Sequence, residues 1–140
     1  MSPTTRARAV PGRLVTREGV AWIGPLLGRR GYAAAGRGLL HAASQAGLPV
    51  VAQPADAVPP GMTAARYPAP PDDVVPVVCV AHGPAAFPDG QSFWEQVERV
   101  HGLPVVGATC FETEGLPASW VARCNVAREV WVPSGFNLRT

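Results

Sequence analysis

His82 is the side chain of this sequence whose type and position best suit acid–base chemistry. It directly follows the apolar run 77–81 and precedes Gly83-Pro84, which places it at the end of an expected strand. Because histidine titrates near neutral pH, His82 could act there as a general base or as a hydrogen-bond partner of a substrate hydroxyl. The alternative is a structural histidine that satisfies a loop carbonyl. We take His82 as the catalytic candidate and expect it to face an open cleft.

A glycine-rich segment, residues 24–32, could bring the backbone close to a ligand. Gly24, Gly28 and Gly31 permit such an approach, and a helix that begins at Tyr32 would favour an anion at its N-terminus. The segment is not G-x-G-x-x-G, and it lacks the Gly-Lys-Ser/Thr of a phosphate-binding loop, so it does not indicate dinucleotide binding. Two interpretations remain, a substrate-binding loop and a plain strand-to-helix turn.

Further polar candidates follow the last two expected strands. Glu112 and Glu114 are two residues apart and share a face of an extended segment, as an acid–base pair would require. Alternatively, one of them caps the helix expected from Pro117. Ser134 is either the N-cap of a following helix or a residue that faces the cleft.

The cysteines give no sign of a metal or disulfide framework. Cys79, Cys110 and Cys124 make an odd number without a C-x-x-C motif. Cys79 and His82 have the spacing of two metal ligands, but no second pair follows, so a structural zinc site is not expected. Cys79 lies in an apolar run, which predicts a small buried thiol. We therefore predict neither a metal nor a cofactor.

Composition bounds the class of protein. The chain has 140 residues, of which 47% are hydrophobic and 16% charged, as in a globular domain. Its net charge of +2 is too small to indicate a nucleic-acid partner. No apolar run approaches the ~20 residues of a membrane span, and the basic start lacks the apolar stretch of a signal peptide. We expect a cytoplasmic protein with a disordered arm over residues 1–18.

Short apolar runs bounded by turn residues alternate with helical patterns from residue 19 onward. This alternation predicts an α/β domain with a Rossmann-like open, mainly parallel sheet and helices on both faces. Ligands of such sheets bind beyond the carboxyl ends of the strands, where the candidates above would lie. The expected strands are 20–23, 48–52, 74–81, 103–109 and 129–132, and the expected helices are 32–46, 92–101 and 117–127.

The segment 108–137 carries a family resemblance. It reads Thr109-Cys110-Phe111-Glu112-Thr113, then Leu116-Pro117 and Trp120, then Glu129-Val130-Trp131-Val132-Pro133-Ser134-Gly135-Phe136-Asn137. Together with Gly24-Pro25 and Gly31-Tyr32 before an Ala-rich helix, it resembles the N-terminal domain of retaining GT-B glycosyltransferases of glycosyltransferase family 4. Arg128-Glu129 stands where that family more often has Asp-Glu. The resemblance covers roughly residues 20–140 and is pattern-level in the middle.

The resemblance implies one half of a two-domain, metal-independent enzyme. The N-terminal half holds a sugar or glycoconjugate acceptor, and a C-terminal domain holds the nucleotide-sugar donor. Because two such domains need about 300 residues, residues 19–140 are expected to be the acceptor half, with the donor domain absent and no transfer activity alone. His82 would be catalytic. The acceptor-binding residues would be Gly24, Gly28, Gly31, Tyr32, Glu112 and Ser134.

Two other functions compete with this one. The first is a non-catalytic binding or interaction module that kept the fold. The second is a nucleotide-dependent oxidoreductase, which the missing G-x-G-x-x-G motif argues against. For a separated half-enzyme we also expect exposed apolar surface beside residues 130–136.

Overall fold

The computed structural model of the protein describes residues 16–29, 31–67, 69, 71–87, 89–110, 115–135 and 139. Within these ranges the chain forms five strands and three helices in the predicted order, and none of these helices is long and apolar enough to cross a membrane. The elements are β1 (Arg17–Gly24), α1 (Gly31–Gln45), β2 (Val50–Pro54), β3 (Val74–His82), α2 (Phe93–His101), β4 (Val105–Ala108), α3 (Ala118–Val126) and β5 (Glu129–Trp131).

The strands form one open sheet in the order β2-β1-β3-β4-β5, and every neighbouring pair is parallel. Helices cover both faces. Leu40 of α1 packs on one face with Trp22 and Val80. Trp94 of α2 packs on the other face with Ala21, and α3 lies on that side as well. The predicted α/β fold, a Rossmann-like open parallel sheet with helices on both faces, is confirmed.

Alternation along the two central strands decides which face each side chain occupies. Trp22 and Val80 lie under α1, whereas Ile23, Cys79 and Ala81 lie on the α2 face. Cys79 is fully buried, so the predicted buried thiol is confirmed. The same alternation sends His82, two residues after Val80, to the α1 face.

Helix α2 is fixed at both ends by caps and on its inner side by a buried indole. Ser92 is its N-cap and accepts the backbone N–H of Glu95 through Oγ at 3.2 Å. Gly102 ends the helix in the left-handed region, with φ 63°. Between them Trp94 lies on β4, where Gly107 leaves room for the indole: a Cβ at that position would lie 2.4 Å from a ring carbon.

Strand β1 begins at Arg17, inside the segment predicted to be a disordered arm. The backbone N–H of Arg17 donates to the carbonyl oxygen of Asp73 at 2.7 Å, and its guanidinium pairs with the Asp73 carboxylate, also at 2.7 Å. These contacts extend β1 along β3, so residues 17 and 18 belong to the sheet. Residues 1–15 lie outside the described residues.

Large apolar side chains are exposed on the side of the sheet formed by α3 and β5. Val121 and Val126 of α3 are 42% and 71% exposed, and Trp131 of β5 is 46% exposed. Within the predicted segment Trp131 is thus exposed, but large apolar side chains are also exposed elsewhere, for example Val100 at 75%, and residue 136 lies outside the described residues. An unusually apolar surface beside residues 130–136 therefore stays a prediction.

Candidate functional site

The carboxyl ends of β1 and β3 lie side by side at the centre of the sheet. The segment after β1 leads to α1 on one face of the sheet, and the segment after β3 leads to α2 on the opposite face. Such a place, where neighbouring strands connect to opposite faces, is the switch point at which open parallel sheets bind their ligands. Gly24 ends β1 and His82 ends β3; a Cβ on Gly24 would lie 2.4 Å from the carbonyl oxygen of His82. Gly24 is therefore needed for the close approach of the two strands.

The backbone N–H groups of the glycine-rich loop converge on one carboxylate, that of Asp56, which lies just beyond β2. Asp56 Oδ1 accepts the N–H groups of Leu26 at 2.7 Å and Leu27 at 3.0 Å, and Oδ2 accepts that of Gly28 at 2.8 Å. Burial raises the pKa of Asp56, but these hydrogen bonds outweigh it and leave the pKa below its usual value. The anion expected at this loop is thus supplied by the chain itself.

The carbonyl groups of the same loop are held by Arg37 of α1. Its Nη1 donates to the carbonyl oxygens of Leu26, at 2.7 Å, and of Gly28. Its Nη2 lies 3.4 Å from the carbonyl oxygen of Arg29. The loop is therefore fixed between a carboxylate and a guanidinium, and the N–H of Gly28 donates to Asp56 instead of remaining open to a substrate.

His82 is buried and does not face an open cleft. It is 6% exposed, and its ring centroid lies 5.1 Å from that of Trp22 and 5.2 Å from that of Tyr32. Gly36 of α1 lies directly over it, since a Cβ on Gly36 would be 3.2 Å from His82 Nδ1. The expectation of an exposed His82 is wrong because strand alternation turns the ring beneath α1.

Burial disfavours the protonated form of His82 and leaves one of its ring nitrogens without a hydrogen-bond partner among the described residues. Desolvation lowers the pKa of His82 below its usual value. Its Nδ1 and the neighbouring Trp22 Nε1 are both buried without a hydrogen-bond partner among the described residues. A catalytic role for His82 stays a prediction, and it requires that a substrate reach a ring that is now covered.

Tyr32 connects the start of α1 to the end of β4. Its hydroxyl lies 3.0 Å from Thr109 Oγ1, donates to the carbonyl oxygen of Cys110 at 3.1 Å and accepts the Cys110 N–H at 3.3 Å. Burial raises the pKa of Tyr32. Since Tyr32 also contacts the His82 ring, two of the predicted site residues are brought together at the switch point.

The other predicted site residues are more dispersed. Gly31 begins α1 with φ 57°, a conformation that favours glycine, and nothing lies within 4 Å of the position that its Cβ would occupy. Ser134 is exposed beyond β5, two strands away from β3. Glu112, together with Glu114, lies outside the described residues, so its predicted role stays untested.

The thiols and acidic groups do not assemble into a metal site in the part of the chain that the structure describes. No group of three His, Cys, Asp or Glu side chains there could hold a metal ion. Cys79, Cys110 and Cys124 are free thiols, and burial raises the pKa of Cys79 and of Cys124.

Two residues of this site, Asp56 and Arg37, carry no prediction from the sequence. A third, Thr109, ends the expected strand 103–109 and so lies where a ligand is expected, but the sequence assigns no role to its hydroxyl. Asp56 sits in a Pro-, Ala- and Asp-rich stretch, where nothing local separates it from Asp72 or Asp73. Arg37 has the appearance of a solvated helix residue, and only the tertiary fold brings it to the loop carbonyls.

Comparison with known proteins gives no family assignment. The chain matches no protein-family model, no curated protein and no solved structure. The α/β architecture therefore rests on the structure alone, and the resemblance to glycosyltransferases remains a hypothesis.

Proposed function

We propose that this chain is the acceptor-side half of a glycosyltransferase that takes its sugar from a nucleotide-sugar donor. The observation that carries the proposal is the polar cluster of Tyr32, His82 and Thr109 at the switch point of a parallel sheet. Hydroxyl and imidazole groups at such a point suit the recognition of a hydroxyl-rich ligand. The sequence pattern of residues 108–137 points to the same class of enzyme.

The acceptor would lie over the carboxyl end of β4. Thr109 is 97% buried, and its hydroxyl and that of Tyr32 are already oriented by each other. A sugar hydroxyl could then donate to the carbonyl oxygens of Gly83 and Cys110, next to this pair, because the N–H groups of these two residues already donate to the Ala108 carbonyl oxygen and to the Tyr32 hydroxyl. His82 would act first as a positioning residue for Tyr32, since their rings are in contact.

The donor would be bound by a second domain, which closes a cleft over this edge of the sheet. Holding donor and acceptor together supplies about 7–11 kcal/mol of the barrier in reactions of this kind. The 140-residue chain alone is therefore expected to show no sustained turnover of nucleotide sugars. Turnover by the purified chain would contradict this part of the proposal.

Titration of the chain with a panel of glycosides, followed by amide NMR, tests the acceptor site. Binding should shift the amides of Gly83, Thr109 and Cys110, and Thr109→Val should weaken binding about tenfold through loss of one hydroxyl contact in a desolvated site. Thr63→Val, the same change in an exposed loop, is the matched control. Binding that is equally strong in both variants, or shifts confined to other parts of the chain, would overturn the site.

A non-catalytic binding module is the second candidate, and one observation favours it. Asp56 and Arg37 occupy the polar groups of the glycine-rich loop, and His82 is covered, so the switch point is closed in this state. If no glycoside in the panel shifts the amides around Thr109, the module interpretation is preferred to the half-enzyme.

A further inference from the structure

A shallow cleft, widely open to solvent, collects positive charge on the outer side of α1. Its volume is about 480 Å³. One wall comes from the middle of α1 and the other from residues 66 and 67, so only the folded chain creates it. The lining residues are Arg37, Gly38, His41, Arg66 and Tyr67.

The arginines of this cleft are not neutralised by carboxylates. The chain has nearly as many acidic residues, 10, as arginines, 12. Yet the ion pairs among the described residues use Arg17 and Arg123. In those ranges no carboxylate lies within 4.0 Å of Arg37 or Arg66, and no acidic side chain lines the cleft. The local potential is therefore positive in a chain that is otherwise nearly balanced.

Two of the lining side chains are fixed before any ligand arrives. Arg37 is held by the carbonyl oxygens of Leu26 and Gly28, which leaves its Nε–H without a partner among the described residues. Tyr67 packs against the core cluster beneath α1. Groups already held in place lose less conformational entropy when a ligand binds.

The floor of the cleft is open to a compact ligand. Nothing lies within 4 Å of the position that a Cβ on Gly38 would occupy, so a ligand can approach the helix surface between Arg37 and His41. Arg66 is exposed and free to turn toward such a ligand.

We propose that this cleft binds a phosphate group, either free or carried by an ester or a lipid headgroup. Guanidinium groups form charge-assisted hydrogen bonds to phosphate oxygens, often two at a time. The imidazole of His41 and the hydroxyl of Tyr67 offer further donors to a phosphate oxygen that the guanidinium groups do not bind. The proposal is independent of glycosyl transfer, because it involves neither Thr109 nor His82.

Amide NMR titration with inorganic phosphate and pyrophosphate at constant ionic strength tests the site. Both anions should shift the amides of Gly38, Arg66 and Tyr67. Arg66→Gln should weaken binding about tenfold, as expected for loss of a charge-assisted contact. Arg99→Gln removes the same charge from α2, on the opposite face of the sheet, and should change the affinity less than about twofold.

Vesicle flotation separates the two sources of the phosphate group. Vesicles of phosphatidylcholine with and without phosphatidic acid are compared, again with both variants. Binding that depends on Arg66 supports the site. Binding to free anions identifies the ligand as free phosphate, and binding to vesicles that contain phosphatidic acid identifies it as a lipid headgroup. If neither binds, or if Arg99→Gln weakens binding as much as Arg66→Gln does, the proposal is wrong.

Discussion

The two faces of the sheet are built differently. On the α2 face the core is apolar, and Trp94 fills the space above Gly107. On the α1 face the packing around Trp22 is apolar. Near the carboxyl ends of the strands, however, the same face contains polar groups that form hydrogen bonds with one another and with the loop backbone. Asp56 and Arg37 are the ionic members of that set.

The two buried indoles show the contrast most directly. Trp22 Nε1 and Trp94 Nε1 both lack a hydrogen-bond partner among the described residues. Trp94 lies among apolar groups, whereas Trp22 lies beside His82, whose Nδ1 is also unpaired. The α2 face thus contributes mainly stability, while the α1 face holds polar groups whose arrangement a ligand or a proton could change.

The largest effect is expected on the α2 face. Trp94→Ala removes a buried ring and leaves a cavity over Gly107, which should lower the free energy of unfolding by about 3–5 kcal/mol. Chemical denaturation measures this loss. Because that is a large share of a typical domain's stability, Trp94→Phe serves as a milder variant that should lose clearly less.

Gly107→Ala checks the cause of that effect. Alone it places a Cβ against the indole and should cost about 1–3 kcal/mol through overpacking. In the Trp94→Ala background the ring is gone, so the same change should cost close to nothing. Additive losses in the double variant would show that the two residues do not act on each other.

A smaller effect is expected from the carboxylate that closes the glycine-rich loop. Asp56→Ala leaves the N–H groups of Leu26, Leu27 and Gly28 without their acceptor and should lower the free energy of unfolding by about 2 kcal/mol. Asp72→Ala removes an exposed carboxylate that precedes β3, at the opposite edge of the sheet, and should change it by less than about 0.5 kcal/mol. Equal losses in the two variants would contradict the role assigned to Asp56.

The pH dependence of the same variant gives an independent measurement. The folded-state pKa of Asp56 is below that of the unfolded chain. Its contribution is therefore complete above the ordinary carboxyl pKa of about 3.9, and it is lost as the pH falls through the lower folded value. The difference between wild type and Asp56→Ala should therefore shrink on acidification, whereas the contribution of Asp73, whose pKa is also lowered, is common to both proteins and cancels. A difference independent of pH would exclude the carboxylate as its source.

The sequence predicts the frame of this molecule better than its polar contacts. Apolar runs such as residues 77–81 locate strands because burial selects short apolar segments between turns. The strand-end position of His82 follows from the same pattern. Its burial under Gly36 does not, because it depends on how closely α1 approaches the sheet.

The site contacts that the sequence does not predict are long-range contacts. Asp56 lies about thirty residues from the N–H groups that it accepts, and Tyr32 lies 77 residues from Thr109. No local pattern encodes such pairs, because their partners are chosen by strand order and loop path. The sequence places Thr109 at the end of an expected strand, beside the candidate ligand site, but it does not predict the hydrogen bond between Thr109 and Tyr32.

The smallest predicted effect concerns the covered histidine on the α1 face. Desolvation lowers the folded-state pKa of His82 below the unfolded value of about 6.5. The unfolded chain therefore takes up a proton that the folded chain resists, and the folded protein should lose stability as the pH falls through 6.5 toward the folded pKa. Each unit of pKa depression corresponds to about 1.4 kcal/mol of stability.

His82→Phe keeps a ring between Trp22 and Tyr32 but cannot titrate. The free energy of unfolding of this variant, measured by urea denaturation, should therefore change less than that of wild type between neutral and mildly acidic pH. His101→Gln, which removes a histidine outside this cluster, should retain the wild-type dependence. If His82→Phe and wild type respond equally to acidification, His82 is already protonated or exposed in the fold, and the α1 face does not differ from the α2 face in holding a buried titratable group there.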